Sequence, residues 1–353
     1  MGNAFTFLNA QAVGLTSVAN RQYDGQMGAF HVLDYSNNSA TWNPRIQRFH
    51  EEYLHYVNTI ANPDGKIQQF LNHNAGFLED VLRSTSRAPV SAQAIIDITA
   101  NSGYMTSDFG DPLNTQEFSR EVAYALETLI SFQRAGNTLS GAQITRRHTL
   151  IGYLKGHLAI WANNTGTYCR PFMAAISCRT AIMYYTHVSQ DADIITKVAA
   201  LADYLWTTCW RENSGAWGPG QSFTYTDRTG FDAEDGNTQP DLNAIICPLY
   251  AWLWYQTGVQ IHRDRHDAIF TGGIPVYSGN VHTGGAFQGT PSSPALKQIY
   301  QQCWWAPQGI AWAESEPLVG GGPEPDPEPE PQPNPIIGRS VQAWRRGKGR
   351  RVK

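Results

Sequence analysis

The chain is predicted to be all-α, folded as an α/α toroid of antiparallel helical hairpins. An irregular N-terminal segment precedes the toroid and a disordered Pro/Glu-rich tail follows it. Three observations predict this. From Pro44 to Thr271 one helical pattern follows another, with no convincing series of strands between them. The helices alternate between two kinds. "PFMAAISCRTAIMYYTHV" and "LNAIICPLYAWLWY" are apolar around most of their circumference, whereas the helix after Asp191 carries a single stripe of Ile194, Val198, Leu201 and Leu205. Short turns, "THVSQDAD" and "QTGVQIHRD", join each all-apolar helix to an amphipathic one. A helix apolar all round is buried on several sides; one with a single stripe has a solvent face. Paired in alternation, they stack as an inner and an outer ring.

The elements follow in order. Residues 1–43 have weak periodicity and much Asn, Gly and Ser, so they are expected to be irregular or to form short strands. "NPRIQRFHEEYLHYVNTIA" predicts a helix with Asn43 as N-cap and Pro44 at its first position. A Pro-Asp-Gly turn precedes "DGKIQQFLNHNAGFLEDVLRS", and "SAQAIIDITA" is a shorter helix. "TQEFSREVAYALETLISFQRAG" runs from a Thr115 cap to Gly136, with Phe118, Val122, Leu126 and Leu129 on one face. Further helices are expected over Ala142–Asn163, Pro171–Val188, Asp191–Arg211, Asp241–Thr257 and His262–Thr271. Pro248 should kink its helix, which neighbours on all sides would hold in place.

The toroid is assigned to residues 44–319. Behind it, 320–335 ("GGGPEPDPEPEPQPNP") reads as a stiff, solvated, polyproline-like linker. Residues 336–353 form a strongly basic tail, too short to fold alone and suited to contact with an anionic surface or partner. The 353 residues are 41% hydrophobic, enough for a sizeable core, and the net charge of −4 argues against a general nucleic-acid binder. No stretch is long and apolar enough for a membrane span. No signal peptide is visible, and cytoplasmic and virion-associated settings both stay open. Cys169, Cys178, Cys209, Cys247 and Cys303 show no C-x-x-C spacing and read as buried thiols. No metal site and no cofactor are expected: the histidines share no ligand spacing, and the acidic run Asp232–Asp235 lacks the EF-hand pattern.

In a toroid the inner helices run the same way, so their N-termini meet at one mouth. Those starts are Arg120-Glu121, Arg170-Pro171 and Asp241-Leu242-Asn243. A connection far longer than a hairpin needs, Glu212–Pro240, precedes the last of them, and long ordered loops usually carry function. It brings Trp217, Phe223 and Tyr225 among several acidic residues. Aromatic faces stack on sugar C–H faces, carboxylates bind hydroxyls, and converging helix N-termini favour an anionic group. Glu121, Asp241 and Tyr225 are therefore the candidate catalytic residues. Arg120, Arg170, Asn243, Trp217 and Phe223 are the candidate substrate-binding residues.

"REVAYALETLISFQRAG", "RPFMAAISCRTAIMYYTHVSQDADI", "ADYLWTTCW", "QSFTYT" and "PDLNAIICPLYAWLWYQTGVQIHRDRHDAIFTGG" resemble a set of poorly characterised bacterial and metagenomic proteins. The resemblance covers about residues 116–273. It implies membership of the six-hairpin, α/α-toroid group, which includes many glycoside hydrolases and polysaccharide lyases. The unsaturated-glucuronyl hydrolase branch of that group has an acidic residue before its Pro-Phe helix; this chain has Tyr168-Cys169-Arg170 there.

The expectation is thus a carbohydrate-active protein acting on an oligo- or polysaccharide. As a hydrolase it would use Glu121 and Asp241 as the carboxylate pair. As a lyase it would use Tyr225 as base and Arg170 to neutralise a uronate. A non-catalytic glycan-binding or surface (virion) structural protein is the alternative, in keeping with the stiff linker and basic tail.

Overall fold

The computed structural model describes residues 25–59, 74–101, 118–213, 220–230, 236–273 and 305–318. These are all-α apart from one two-residue pair of strands. The helices are α1 (Gly25–Ser36), α2 (Ser39–Thr59), α3 (Asn74–Leu82), α4 (Ala88–Asn101), α5 (Ser119–Arg134), α6 (Gly141–Ala162), α7 (Pro171–His187), α8 (Ala192–Tyr204), α9 (Asn243–Thr257), α10 (Gln260–Asp267) and α11 (Ala306–Glu314).

The alternation of buried and one-faced helices holds from α5 to α9. In α5, α7 and α9 buried residues occur on every side. In α6 they are confined to one face, Leu150, Leu154, Leu158 and Trp161 among them, and in α8 to Ile194, Val198, Leu201 and Ala202. The buried helices pack in a row, α3 on α5, α5 on α7, α7 on α9 and α9 on α11, while α6 and α8 pack together behind them.

Local chemistry sets the helix ends. Ser140 and Gln143 form a reciprocal capping box at the start of α6. Asp191 caps α8 by accepting from the Asp193 amide, and Pro171 opens α7 at no cost because a first-turn N–H is unpaired anyway. Gly136, at φ +88°, ends α5: its N–H bonds the Gln133 carbonyl and the Asn137 N–H bonds that of Phe132, the two bonds of a Schellman motif.

Side-chain bonds fix the helix directions. Ser119 Oγ meets Ser177 Oγ at 2.6 Å, and farther along both helices Glu127 meets Arg179 at 2.7 Å, so α5 and α7 run parallel. Tyr225, in the loop leading into α9, lies against Phe172 at the start of α7, and Tyr185 lies against Trp252 farther down both helices. The N-termini of α5, α7 and α9 therefore gather at one end.

The N-terminal expectation needs correction. Residues 25–36 and 39–59 are helical, and the boundary at 43/44 falls inside α2. Asn38, not Asn43, caps α2, its Oδ1 accepting the Thr41 amide at 3.1 Å. Trp42, Ile46, Phe49 and Tyr53 form its core stripe, each at most 1% exposed. Two further ends move. α8 stops at Tyr204, where a π-helical turn (Leu205–Cys209) leads into β1 (Trp210–Arg211), which pairs antiparallel with β2 (Ser222–Phe223). α10 likewise stops at Asp267, and a π-helical turn carries the chain to Gly273.

Asp80, fully buried, fastens α1 to α4. Its carboxylate accepts from Gln26, Thr85, Arg87 and Ser91, and His50 lies 3.3 Å away. Burial alone would raise its pKa. The bonds from His50, Arg87 and Thr85 and the charge of Arg87 outweigh burial and hold it at about 2, against an ordinary 3.8.

Two predictions follow from this packing. A carboxyl whose pKa is depressed by folding contributes stability above its unfolded pKa and loses it as pH falls through the folded one. Acid titration of unfolding free energy should therefore show a loss of about 2 kcal/mol from Asp80 between pH 3.8 and about 2. Asp80→Asn should be less stable at neutral pH and fall less steeply across that window; an unchanged slope would place the acid lability elsewhere. The second concerns two helical glycines. A Cβ on Gly309 of α11 would sit 2.9 Å from Pro248 Cα in α9, whereas one on Gly152 of α6 would meet nothing within 4 Å. Gly309→Ala should destabilise by about 1–3 kcal/mol in denaturant unfolding. Gly152→Ala should stabilise by about 0.5–1 kcal/mol. Equal signs would refute the close approach of α11 to Pro248.

Candidate functional site

The segment before α7 is extended, and alternation in an extended chain puts Tyr168 and Arg170 on one side while Cys169 points inward. The Arg170 guanidinium lies 4.9 Å from the Tyr168 ring and 5.5 Å from the Tyr225 ring. Tyr225 in turn packs on Phe172, their centroids 5.5 Å apart. A cation held between aromatic faces at the start of a helix is an arrangement suited to an anionic ligand that also offers an apolar face. Comparison of the chain with known protein families, with curated proteins and with solved structures finds no match.

Asp227 positions this cradle. Its Oδ1 accepts the Cys169 amide at 2.8 Å, and its own amide donates to the Cys169 carbonyl at 3.0 Å. Its Oδ2 accepts the Tyr204 hydroxyl at 2.5 Å, and Arg228 pairs with the same carboxylate while bonding Asn164. One carboxylate therefore ties the α6–α7 connection, the end of α8 and the long loop together. Burial, and then the bond and charge of Asp227, raise the Tyr204 pKa. Burial likewise raises the Cys169 thiol and pushes Cys209 up to about 12, so neither is a thiolate nucleophile at neutral pH. Cys169, Cys178, Cys209 and Cys247 are all buried free thiols, and Cys303 lies outside the described residues.

The other candidates divide. Arg120 and Glu121 pair with each other at 3.0 Å at the start of α5; Glu121 is 7% exposed, and its second carboxylate oxygen is buried without a hydrogen bond. Phe223 and Asn243 serve the fold. Phe223, 1% exposed, sits among Trp206, Trp210 and Tyr250 and offers no face to a sugar. Behind it Trp206 and Trp210 stack at 4.8 Å, 14° from parallel. Asn243 is fully buried; its Oδ1 accepts from Phe223 N–H and Ser222 Oγ, and its Nδ2 donates to the Gln221 carbonyl. These bonds pin β2 to the start of α9. Trp217 and the side chain of Asp241 lie outside the described residues. Sequence reasoning missed Tyr168, Phe172 and the clasp made by Asp227. Tyr168 had a signal, since it precedes Arg170 at even spacing in the extended approach to α7. Among the described residues no three His, Cys, Asp or Glu side chains group as for a metal, and no helix is long and apolar enough to cross a membrane.

If Asp227 is the clasp, Asp227→Ala should free the Tyr168–Arg170 segment and uncover Cys169. Mass spectrometry after brief treatment with a thiol reagent should find Cys169 unlabelled in the parent protein and labelled in the variant. Protection of Cys169 in the variant would show that other contacts hold the segment.

Proposed function

We propose that the chain is a carbohydrate-active protein whose helical hairpins close into an α/α toroid, and that an acidic saccharide binds at its mouth. The observation that carries this reading is the Arg170 guanidinium between Tyr168 and Tyr225. A uronate has both features the cradle asks for: a carboxylate for the cation and a C–H face for the rings.

Of the two reactions open to such a mouth, β-elimination fits better. Its two groups, Arg170 and Tyr225, lie side by side. In the elimination Arg170 neutralises the uronate carboxylate, which acidifies the neighbouring C5–H. Tyr225, acting as the phenolate, takes that proton, the C4–O4 bond breaks as the C4=C5 double bond forms, and the departing O4 receives a proton from the Tyr225 hydroxyl so formed. Non-catalytic glycan binding is the second reading. What favours it is that a guanidinium beside two aromatic rings binds an anionic sugar without needing an acid or a base.

Polyuronates incubated with the protein should give the ultraviolet absorbance of an unsaturated product. Tyr225→Phe, which keeps the ring, should cut turnover by at least ~10²-fold while binding persists. Arg170→Ala should lose both binding and turnover. Arg170-dependent binding with no product would select the binding reading, and absence of binding to any polyuronate would sink both.

A further inference from the structure

A second site lies at the other end of the helices. α3 runs parallel to α5: Asn74 Nδ2 donates to Thr128 Oγ1 at 2.7 Å, and farther along the charge of Glu79 reaches Arg134. Arg83 and Arg87 follow the C-terminal end of α3, whereas Arg170 precedes the N-terminal end of α7. Between α1, α2 and this α3–α4 turn is an open cavity of about 520 Å³, a size that accepts a small ligand of one or two rings. We propose that it binds a neutral oligosaccharide.

The cavity wall is rigidly built. Arg83 makes a two-pronged pair with Asp34, both bonds 2.7 Å, and its Nε bonds Glu79 at 2.6 Å. Arg87 bonds Asp80 through Nε and Nη2, the shortest bond being 2.6 Å. Both guanidiniums lie over the Phe30 ring, at 4.7 and 5.7 Å. Ordering these long side chains is therefore already done before any ligand arrives, which removes much of the usual entropic cost of binding.

The groups left over select the ligand. Nη1 of Arg87 takes no part in the bonds to Asp80 and remains a donor. Gln47 Nε2 donates to Glu51, which leaves its Oε1 as an acceptor, and the Asn43 carboxamide is exposed at the rim. Leu33 and Pro44 supply apolar wall. Donors and acceptors are thus mixed beside an apolar surface. Hydroxyls, which donate and accept at once, match the first; the C–H face of a sugar ring matches the second. Charge excludes the alternatives. Three carboxylates, Asp34, Glu79 and Asp80, stand behind two guanidiniums, so the cluster does not favour an anion. Both guanidiniums that line the cavity are paired, so it presents no uncompensated charge to attract a cation either.

The test titrates the full chain by calorimetry with cello-, xylo- and manno-oligosaccharides and, separately, with oligogalacturonate. One neutral series should bind. The double variant Asn43→Ala/Gln47→Ala, outside the Asp80 cluster and expected to unfold at the parental temperature, should bind that series at least ~10-fold more weakly. Arg170→Ala should leave neutral binding unchanged while affecting only the acidic ligand, so this site and the mouth succeed or fail separately. The inference is overturned if no neutral series binds, if the double variant binds as the parent does, or if oligogalacturonate displaces the neutral ligand.

Discussion

The buried ion pair between Glu127 and Arg179 governs how the row of helices lines up. Both side chains are 3% exposed, and they bridge α5 to α7 at 2.7 Å. A buried pair of this kind adds little net stability, because desolvation of the two charges consumes most of the attraction. Separating the partners, however, costs about 3–5 kcal/mol, since each buried charge then loses its bonded counter-charge. A slip of α5 along α7 would do that, so other registers are heavily penalised. With this register fixed, Ser119 meets Ser177, and the start of α5 lies within about two turns of Arg170 at the start of α7. The relative placement of these two helix starts is thus a consequence of one contact in the middle of the helices.

The same logic of satisfied buried polarity recurs where the chain is least regular. The loop between β1 and α9 has little hydrophobic content of its own to hold it. It is secured by Asn243 at one point, by Asp227 at another and by the pairing of Trp210 with Phe223. Each anchor spends a polar group on backbone amides or carbonyls, and what remains outward, Tyr225 beside Arg170, is placed by those anchors. At the other end Asp80 does the equivalent, collecting donors from α1, the α3–α4 turn and α4 around one carboxylate.

Much of the helical architecture was legible because it rests on local rules. The Ile194 stripe, Pro171 at the head of α7 and the glycine ending α5 each act within a turn or two of sequence, and each is where the pattern put it. The N-terminal helices were harder to read for a physical reason. Pro44 has the features of a first-turn residue, which hides the fact that the Trp42 stripe begins before it. The loop aromatics were harder still. Phe223 and Tyr225 are two residues apart in the same loop, yet one is enclosed and the other lies beside Arg170. That difference is set by Trp206, Trp210 and Tyr250 arriving from distant segments, and composition carries no trace of it.

The stacked indoles of Trp206 and Trp210 have an optical consequence. Two such chromophores held nearly parallel at 4.8 Å couple their transition dipoles, with Phe223, Tyr250 and the guanidinium of Arg265 packed against Trp206. Because Phe223 belongs to the loop that carries Tyr225, any rearrangement of that loop changes the environment of the coupled pair. The protein therefore holds its own spectroscopic gauge at the foot of this loop, readable in near-ultraviolet circular dichroism without a label.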